Sequence, residues 1–162
     1  MTDRTTTHII CFGNPLHGDD GFGQSVYERL AEWSLPDHIR LIDGGTSSLS
    51  ALNYFEDCDR AIVIDSFYDD RSVGQVKWMT TSDLSDLRDE NEMSSHGLGV
   101  GSILQGLKII EEEGEIVPSL DVLTCSIRQP EIFKMELSGP VEKAVGSAVD
   151  KVLMKLKGDM YV

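Results

Sequence analysis

The stretch HIICFGNPLHGDDGFG, residues 8–23, decides the fold of this chain. Its first part, His8 to Phe12, is a short apolar run that stops at Gly13, which predicts a buried β-strand. A glycine-rich turn follows, and the chain then shows helical periodicity up to Pro36. The apolar residues at this helical spacing are Phe22, Val26, Leu30 and Trp33. A strand, a turn and a helix in this order begin a β-α-β unit.

Two further strands and a short helix are predicted directly downstream. The segments Ile39–Asp43 and Ala61–Asp65 are apolar runs. The second run lacks the alternation of a half-exposed strand, which indicates that both of its faces are covered. Leu49, Leu52 and Phe55 mark a short helix between the two runs. The first part of the chain therefore has the order β-α-β-α-β.

The rest of the chain predicts an edge strand, a helix, a last strand and a closing helix. Val73–Thr80 is more polar and partly alternating, and no helix separates it from the third strand, so we expect an antiparallel edge strand. A helix is expected from His96, a strand at Asp121–Ile127, and a closing helix after Pro140. This order predicts a three-layer α/β/α sandwich on a mostly parallel sheet.

Length and composition exclude several classes of function. The 162 residues, 1–162, suit a single domain. With 28 acidic and 14 basic residues the formal net charge is −14, which argues against a nucleic acid or an anionic membrane as partner. The cysteines, Cys11, Cys58 and Cys125, fit neither a disulfide framework nor a zinc ribbon. The chain shows no signal peptide and no run of about 20 apolar residues, so a cytoplasmic location is expected.

Acidic residues gather where ligands bind in open α/β sheets, which is beyond the carboxyl ends of the strands. Asp19 and Asp20 stand at the start of the first helix, Asp43 ends the second strand, and Asp65 ends the third. Helix capping is an alternative to a functional role for Asp19 and Asp20, and it is favoured for Asp19. For Asp43, an Asx-turn is an equal alternative. Asp65 follows a fully apolar run, where a charge requires a partner, a metal or a reaction. With His96, Asp20 and Asp65 supply two oxygens and one imidazole nitrogen, which suits a divalent first-row transition metal.

Three further features leave alternatives open. The turn after the first strand has the layout of a dinucleotide site, but it lacks the G-x-G-x-x-G spacing, and Asp19 and Asp20 would repel a phosphate. His17 lies in the same loop, and it either has no functional role or contacts a substrate. The acidic region Asp83–Glu92 is either a solvated loop or, from its position before His96, a flap or a specificity surface.

The sequence resembles the hydrogenase maturation proteases, endopeptidases that trim the C-terminus of the large subunit of nickel-iron hydrogenases. Four segments carry the resemblance, in the right order over nearly the whole chain: Gly13–Gly23, Ile42–Thr46, Ile62–Asp65 and Ser95–Gly99. The resemblance implies a mixed five-stranded sheet of order 2-1-3-5-4 whose fourth strand is antiparallel, a phosphorylase/hydrolase-like fold.

The resemblance also implies a site. Its metal-contacting triad falls on Asp20, Asp65 and His96, and the metal is nickel already inserted in the substrate, so no tightly bound cofactor of the chain's own is expected. Asp20 and Asp43 are the candidate catalytic residues of an aspartyl protease-like site. His17 and Asp19, in the same loop as Asp20, are candidate substrate contacts.

The function expected from these residues is removal of the C-terminal extension of a hydrogenase large-subunit precursor after nickel insertion, by a monomeric protein. The first alternative is a non-catalytic chaperone or sensor that grips the same precursor without cutting it. The second is a self-contained metallopeptidase that holds its own zinc. No serine or cysteine nucleophile set is evident in the sequence.

Overall fold

The computed structural model of the chain describes residues 4–46, 49–80, 82–83 and 100–160. Five strands in these residues form one sheet of order β2-β1-β3-β5-β4. β4 pairs antiparallel with β5, and the other neighbouring strands are parallel, which confirms the expected topology. The strands are β1 Thr7–Phe12, β2 Ile39–Gly45, β3 Arg60–Tyr68, β4 Val76–Trp78 and β5 Ser119–Ile127.

Helices lie between and after these strands: α1 Phe22–Leu30, α2 Val100–Glu112, α3 Gly139–Met160, and the 3₁₀ helices Gly18–Gly21 and Leu49–Phe55. The expected start of α2 at His96 lies outside the described residues. α1 ends at Leu30, before Trp33, whose half-exposed side chain adds little burial to favour another turn. None of the described helices is both long and apolar enough to cross a lipid bilayer.

All five strands differ from their predicted bounds: β1, β2, β3 and β5 are one to four residues longer, and β4 is shorter. β3 continues past Asp65, which was expected to end it. β4 is confined to Val76–Trp78, because the chain before it turns at Gly74, which adopts a left-handed φ of 87° that no β-strand uses. β2 continues through the two glycines after Asp43. Its register with β1 shifts there, so that Cys11 pairs with Asp43 and Phe12 with Gly45. This bulge bends the end of β2 at the edge where ligands are expected.

The sheet has a hydrophobic core on each face, which confirms the three-layer sandwich. On one face β1, β3 and β5 pack against α1 and α3, and on the other they pack against α2 and the 3₁₀ helix Leu49–Phe55. β3 lies at the centre of the sheet and is buried on both faces: Ile62 and Ile64 belong to the first core, and Ala61 and Val63 to the second. This explains why its apolar run does not alternate.

A partly buried carboxylate joins three elements at the amino ends of the strands. Asp121 on β5 accepts hydrogen bonds from Arg60 of β3 at 2.7 and 2.9 Å and from Lys155 of α3 at 2.9 Å. The Lys155 ammonium also lies 4.2 Å from the centre of the Trp78 ring. Burial raises the pKa of Asp121, but the hydrogen bonds and charges of Lys155 and Arg60 outweigh burial and hold the pKa below its usual value.

We expect Asp121→Asn to destabilise the fold by about 1 kcal/mol at neutral pH. Because the folded-state pKa of this carboxyl is depressed, its stabilisation is present above the unfolded-state pKa and is lost as the pH falls through the folded value. The difference in melting temperature between wild type and variant should therefore be largest near pH 7 and shrink below about pH 4. Thermal denaturation of both proteins, near pH 7 and below about pH 4, measures this difference in melting temperature. An undiminished difference at the lower pH would contradict the expectation.

Candidate active site

Two buried carboxylates lie at the carboxyl edge of the sheet. Asp20 lies in the 3₁₀ helix Gly18–Gly21 that leads into α1, and its side chain is 0% exposed. Asp65 lies toward the end of β3, opposite Thr124 of β5, and is 2% exposed. The adjacent Ser66 is 6% exposed. Asp20 and Asp65 were predicted to lie at the same edge of the sheet, and the structure places both of them there.

Ser66 connects the two carboxylates through two hydrogen bonds. Its hydroxyl donates to Asp20 Oδ1 at 2.9 Å, and its backbone N–H donates to Asp65 Oδ1 at 2.8 Å. Side chains alternate along a strand, so Ser66 shares the face of Ile64, under α1, whereas Asp65 lies on the opposite face. Sequence analysis missed Ser66. The signal that could have identified Ser66 was its position: it is a polar residue next to Asp65, on the face of β3 that α1 covers.

The predicted metal triad is described only in part. Asp20 and Asp65 are brought together around Ser66, while His96 lies outside the described residues. In the portion of the chain that the structure describes, no group of three or more His, Cys, Asp or Glu side chains forms a metal-binding cluster. The role of the triad as metal ligands stays a prediction.

Two glycines allow Asp20 to reach the sheet edge. A Cβ on Gly23, in the first turn of α1, would lie 1.8 Å from the carbonyl oxygen of Phe12, and a Cβ on Gly13 would lie 2.6 Å from the carbonyl oxygen of Asp20. The turn is closed by a hydrogen bond of 3.0 Å from the Asn14 N–H to that same Asp20 oxygen. The glycine-rich motif thus serves close backbone packing between β1, the turn and α1.

Asp19 caps a helix, but not the helix that follows it. Its two carboxylate oxygens accept hydrogen bonds from the Ser138 N–H at 2.6 Å and from the Ser138 hydroxyl at 2.8 Å, immediately before α3 begins at Gly139. At the start of α1, Gly21 is the N-cap residue and no side chain caps it. The expectation of a cap at α1 is therefore wrong. The carboxylate instead ties the Asp20 loop to α3, and its proposed contact with a substrate stays a prediction.

We expect Asp19→Ala to destabilise the protein by about 1 to 2 kcal/mol, because it removes both hydrogen bonds at the start of α3. Asp19→Asn keeps one acceptor oxygen and should recover part of the loss. Urea denaturation of both variants provides the measurement. Equal stability of Asp19→Ala and wild type would show that these bonds contribute nothing.

His17 stands on the same loop and is half-buried. Its Nδ1 lies 3.3 Å from Asn14 Nδ2. The backbone around it is held to the segment before α3, because His17 forms a β-bridge with Lys134 and the Gly18 N–H donates to the Lys134 carbonyl at 2.6 Å. The ring is thus placed at the rim of the loop that carries Asp20, and its role as a substrate contact stays a prediction.

Asp43 is exposed and forms the Asx-turn considered as one alternative. Its Oδ1 accepts the Gly45 N–H at 3.0 Å. The Gln24 amide, with its nitrogen turned toward Asp43, donates to the two carboxylate oxygens at 3.1 and 3.2 Å. The Asx-turn is confirmed, and it leaves the carboxylate at the surface, where a catalytic role stays a prediction.

The cysteines are poorly suited to act as thiolate nucleophiles. Burial, and secondarily the charge of Asp43, raises the pKa of Cys11, and burial followed by the charge of Asp19 raises the pKa of Cys125 to about 12. Cys58 is partly buried beside Asp59, and its pKa is raised to about 11. The thiol is the dominant form of all three at neutral pH.

Comparison with known proteins identifies close counterparts. Residues 25–155 match the HycI family model, described as hydrogenase maturation protease. A putative hydrogenase maturation protease of Methanocaldococcus jannaschii is 30% identical over 92% of this chain and 95% of its own length. The hydrogenase 2 maturation protease of Escherichia coli is 25% identical over 92% of this chain and 89% of its own length.

Solved structures show the same fold. The hydrogenase maturating endopeptidase HybD from E. coli superposes with a TM-score of 0.79 at 23% identity, covering 94% of this chain and 92% of its own. A hydrogenase 2 maturation peptidase from Thaumarchaeota archaeon SCGC_AB-539-E09 is 31% identical with a TM-score of 0.65, covering 93% of this chain and 97% of its own.

Proposed function

Because this chain belongs to the hydrogenase maturation protease family, whose members are peptidases, we propose that it removes the C-terminal extension of a nickel-iron hydrogenase large-subunit precursor after nickel insertion. The observation that carries the proposal is the pair of buried carboxylates, Asp20 and Asp65, joined through Ser66 at the carboxyl edge of the sheet. In this proposal the protein acts in the cytoplasm, as a monomer, without a tightly bound cofactor of its own.

The paired carboxylates favour a cationic group in the substrate. Two carboxylates within reach of one serine concentrate negative potential, which attracts a divalent cation and disfavours an anion. Oxygen ligands from Asp20 and Asp65, with a nitrogen from His96, would complete the coordination of a nickel ion that the precursor already holds. Nickel is then part of the substrate, and it distinguishes the loaded precursor from the empty one.

The chemistry required is hydrolysis of one peptide bond. A water oxygen adds to the scissile carbonyl carbon, the carbon–nitrogen bond breaks, and the proton lost by the water passes to the leaving amine. Asp20 is suited to accept and return this proton as a general base and acid. The positive charge of the substrate's nickel stabilises the oxygen on which negative charge develops. Asp43, at the surface, is assigned to orient the substrate or to share in the proton transfer.

The rim of the site supports a protein as substrate. Phe133 is 87% exposed and adopts a left-handed φ of 62°, and it lies on the segment that is bridged to the loop of His17. Large exposed apolar side chains near a cleft are typical of surfaces that bind proteins. The exposed apolar residues on these two segments are Leu16, Ile132, Phe133 and Met135. We assign contact with the precursor to this rim, including His17 and Asp19.

Incubation of the purified chain with a nickel-loaded large-subunit precursor tests the function. Mass spectrometry should show loss of the C-terminal extension from the loaded precursor and an intact nickel-free precursor. Stable binding of the loaded precursor without any change in its length would instead support the chaperone or sensor. Cleavage of the nickel-free precursor by a preparation that contains zinc would support the self-contained metallopeptidase.

A further inference from the structure

We propose that Ser66 is a positioning residue that holds the Asp20 carboxylate in register with Asp65, an inference whose catalytic consequence rests on the proposed function. The juxtaposition that supports it is two hydrogen bonds from one residue to one oxygen of each carboxylate. Ser66 contributes its hydroxyl to the first bond and its backbone N–H to the second, so that only the bond to Asp20 depends on its side chain.

The two carboxylates come from elements with different anchoring. Asp65 belongs to the central strand β3, whose pairing with β5 fixes its backbone. Asp20 belongs to a four-residue 3₁₀ helix outside the sheet, 46 residues away in sequence from Ser66. The backbone of this turn is held by its own hydrogen bonds, including those that Asn14 and His17 form with Asp20 at 3.0 and 3.1 Å. A hydrogen bond from the Ser66 hydroxyl connects the side chain of Asp20 to the sheet.

Burial makes this connection strong. Asp20 is 0% exposed and Ser66 is 6% exposed, so bulk water does not compete freely for the bond between them. The hydroxyl donates to Asp20 Oδ1 at 2.9 Å, a distance within the ordinary range for a hydrogen bond between two oxygens. A serine hydroxyl has a single proton, and donating it to Asp20 Oδ1 restricts both side chains to one arrangement.

The consequence is a fixed orientation of one carboxylate relative to the other. Hydrogen bonds that orient metal-contacting carboxylates typically change metal affinity or activity by about 10- to 100-fold when they are removed. Sites of this kind require their groups to be held within about 0.5 Å of the productive geometry. Ser66 therefore affects the reaction through Asp20, without touching the substrate itself.

Ser66→Ala tests the proposal, with Ser126→Ala as the matched control. Ser126 is also a buried serine near the end of a central strand, β5, but its hydroxyl lies 3.4 Å from that of Ser72 and belongs to a different cluster. Ser66→Thr keeps a hydroxyl and serves as the rescue variant. Three measurements are made on each full-length protein: kcat/KM on the nickel-loaded precursor, the affinity for Ni²⁺ added alone, and a crystal structure.

We expect Ser66→Ala to lower kcat/KM and to weaken Ni²⁺ binding by about 10-fold or more. In its crystal structure the Asp20 carboxylate should be displaced relative to the backbone of β3 by more than about 0.5 Å. We expect Ser126→Ala to lower the melting temperature as much as Ser66→Ala does, while keeping wild-type kcat/KM and Ni²⁺ affinity. Ser66→Thr should recover most of the kcat/KM and Ni²⁺ affinity that Ser66→Ala loses.

An Asp20 carboxylate that stays in place in the Ser66→Ala crystal structure overturns the proposal, as do wild-type kinetics in this variant. Equal losses of kcat/KM in Ser66→Ala and Ser126→Ala also overturn it, because they would show a general effect on packing. Failure of the proposed function is distinct: the wild-type protein would then leave the precursor intact, while the crystal structure would still decide whether Ser66 positions Asp20.

Discussion

Asp20→Asn is expected to lower the rate of precursor cleavage by about 10²- to 10⁴-fold while leaving the protein folded. The amide has the same shape as the carboxylate, and its oxygen can still accept the 2.9 Å hydrogen bond from the Ser66 hydroxyl. It carries no negative charge and cannot accept a proton from water at neutral pH. Both functions assigned to Asp20, attraction of the substrate's nickel and general-base catalysis, are removed together.

The measurement is the rate of loss of the C-terminal extension from nickel-loaded precursor, followed by mass. Asp121→Asn is the matched control, because it makes the same chemical change at a partly buried carboxylate near the amino end of β5, opposite Ile62 in the sheet register. We expect that variant to cleave at the wild-type rate below its melting temperature. Undiminished cleavage by Asp20→Asn would remove Asp20 from the mechanism.

Gly23→Ala is expected to destabilise the protein by about 2 kcal/mol or more. The new Cβ would lie 1.8 Å from the backbone carbonyl oxygen of Phe12, so α1 or the end of β1 has to move. Overpacking of this kind costs up to about 3 kcal/mol and occasionally more, while the gain in helix propensity from glycine to alanine returns about 1 kcal/mol. Because Asp20 lies two residues before the start of α1, the same shift should lower the cleavage rate of the molecules that remain folded.

Urea denaturation and cleavage kinetics of the Gly23→Ala variant measure the two effects. Gly146→Ala is the matched control, since Gly146 also lies within a helix, α3, and a Cβ there meets only the end of the Arg29 side chain at 3.6 Å. That variant should be as stable as wild type or more stable, by up to about 1 kcal/mol. Equal stability of the two variants would contradict the close packing at Gly23.

The sequence predicted the number and order of the strands correctly, and it placed Asp20 and Asp65 at one edge of the sheet. Both predictions depend on local patterns: apolar runs, and the residues that follow them. The apolar run that became β3 lacks alternation, and the structure buries that strand on both faces. A short apolar segment such as Leu49–Phe55 carries a helical pattern but too little length to choose between an α-helix and a 3₁₀ helix. The structure forms the 3₁₀ helix there and packs it against the sheet. The bounds of β4 depended on the left-handed turn at Gly74, which periodicity does not reveal.

By itself, the sequence determined that Asp20 and Asp65 lie at one edge of a mostly parallel sheet. Strands are recognised from patterns a few residues long, and residues that follow parallel strands come together at the carboxyl edge of the sheet. Tertiary structure alone decided which donors those carboxylates and Asp19 meet. Ser66 reaches Asp20 across 46 residues of chain, and Ser138 reaches Asp19 across 119 residues. Hydrogen-bond partners so distant in sequence are selected by the packing of α1 and α3 on the sheet, and no local pattern specifies them.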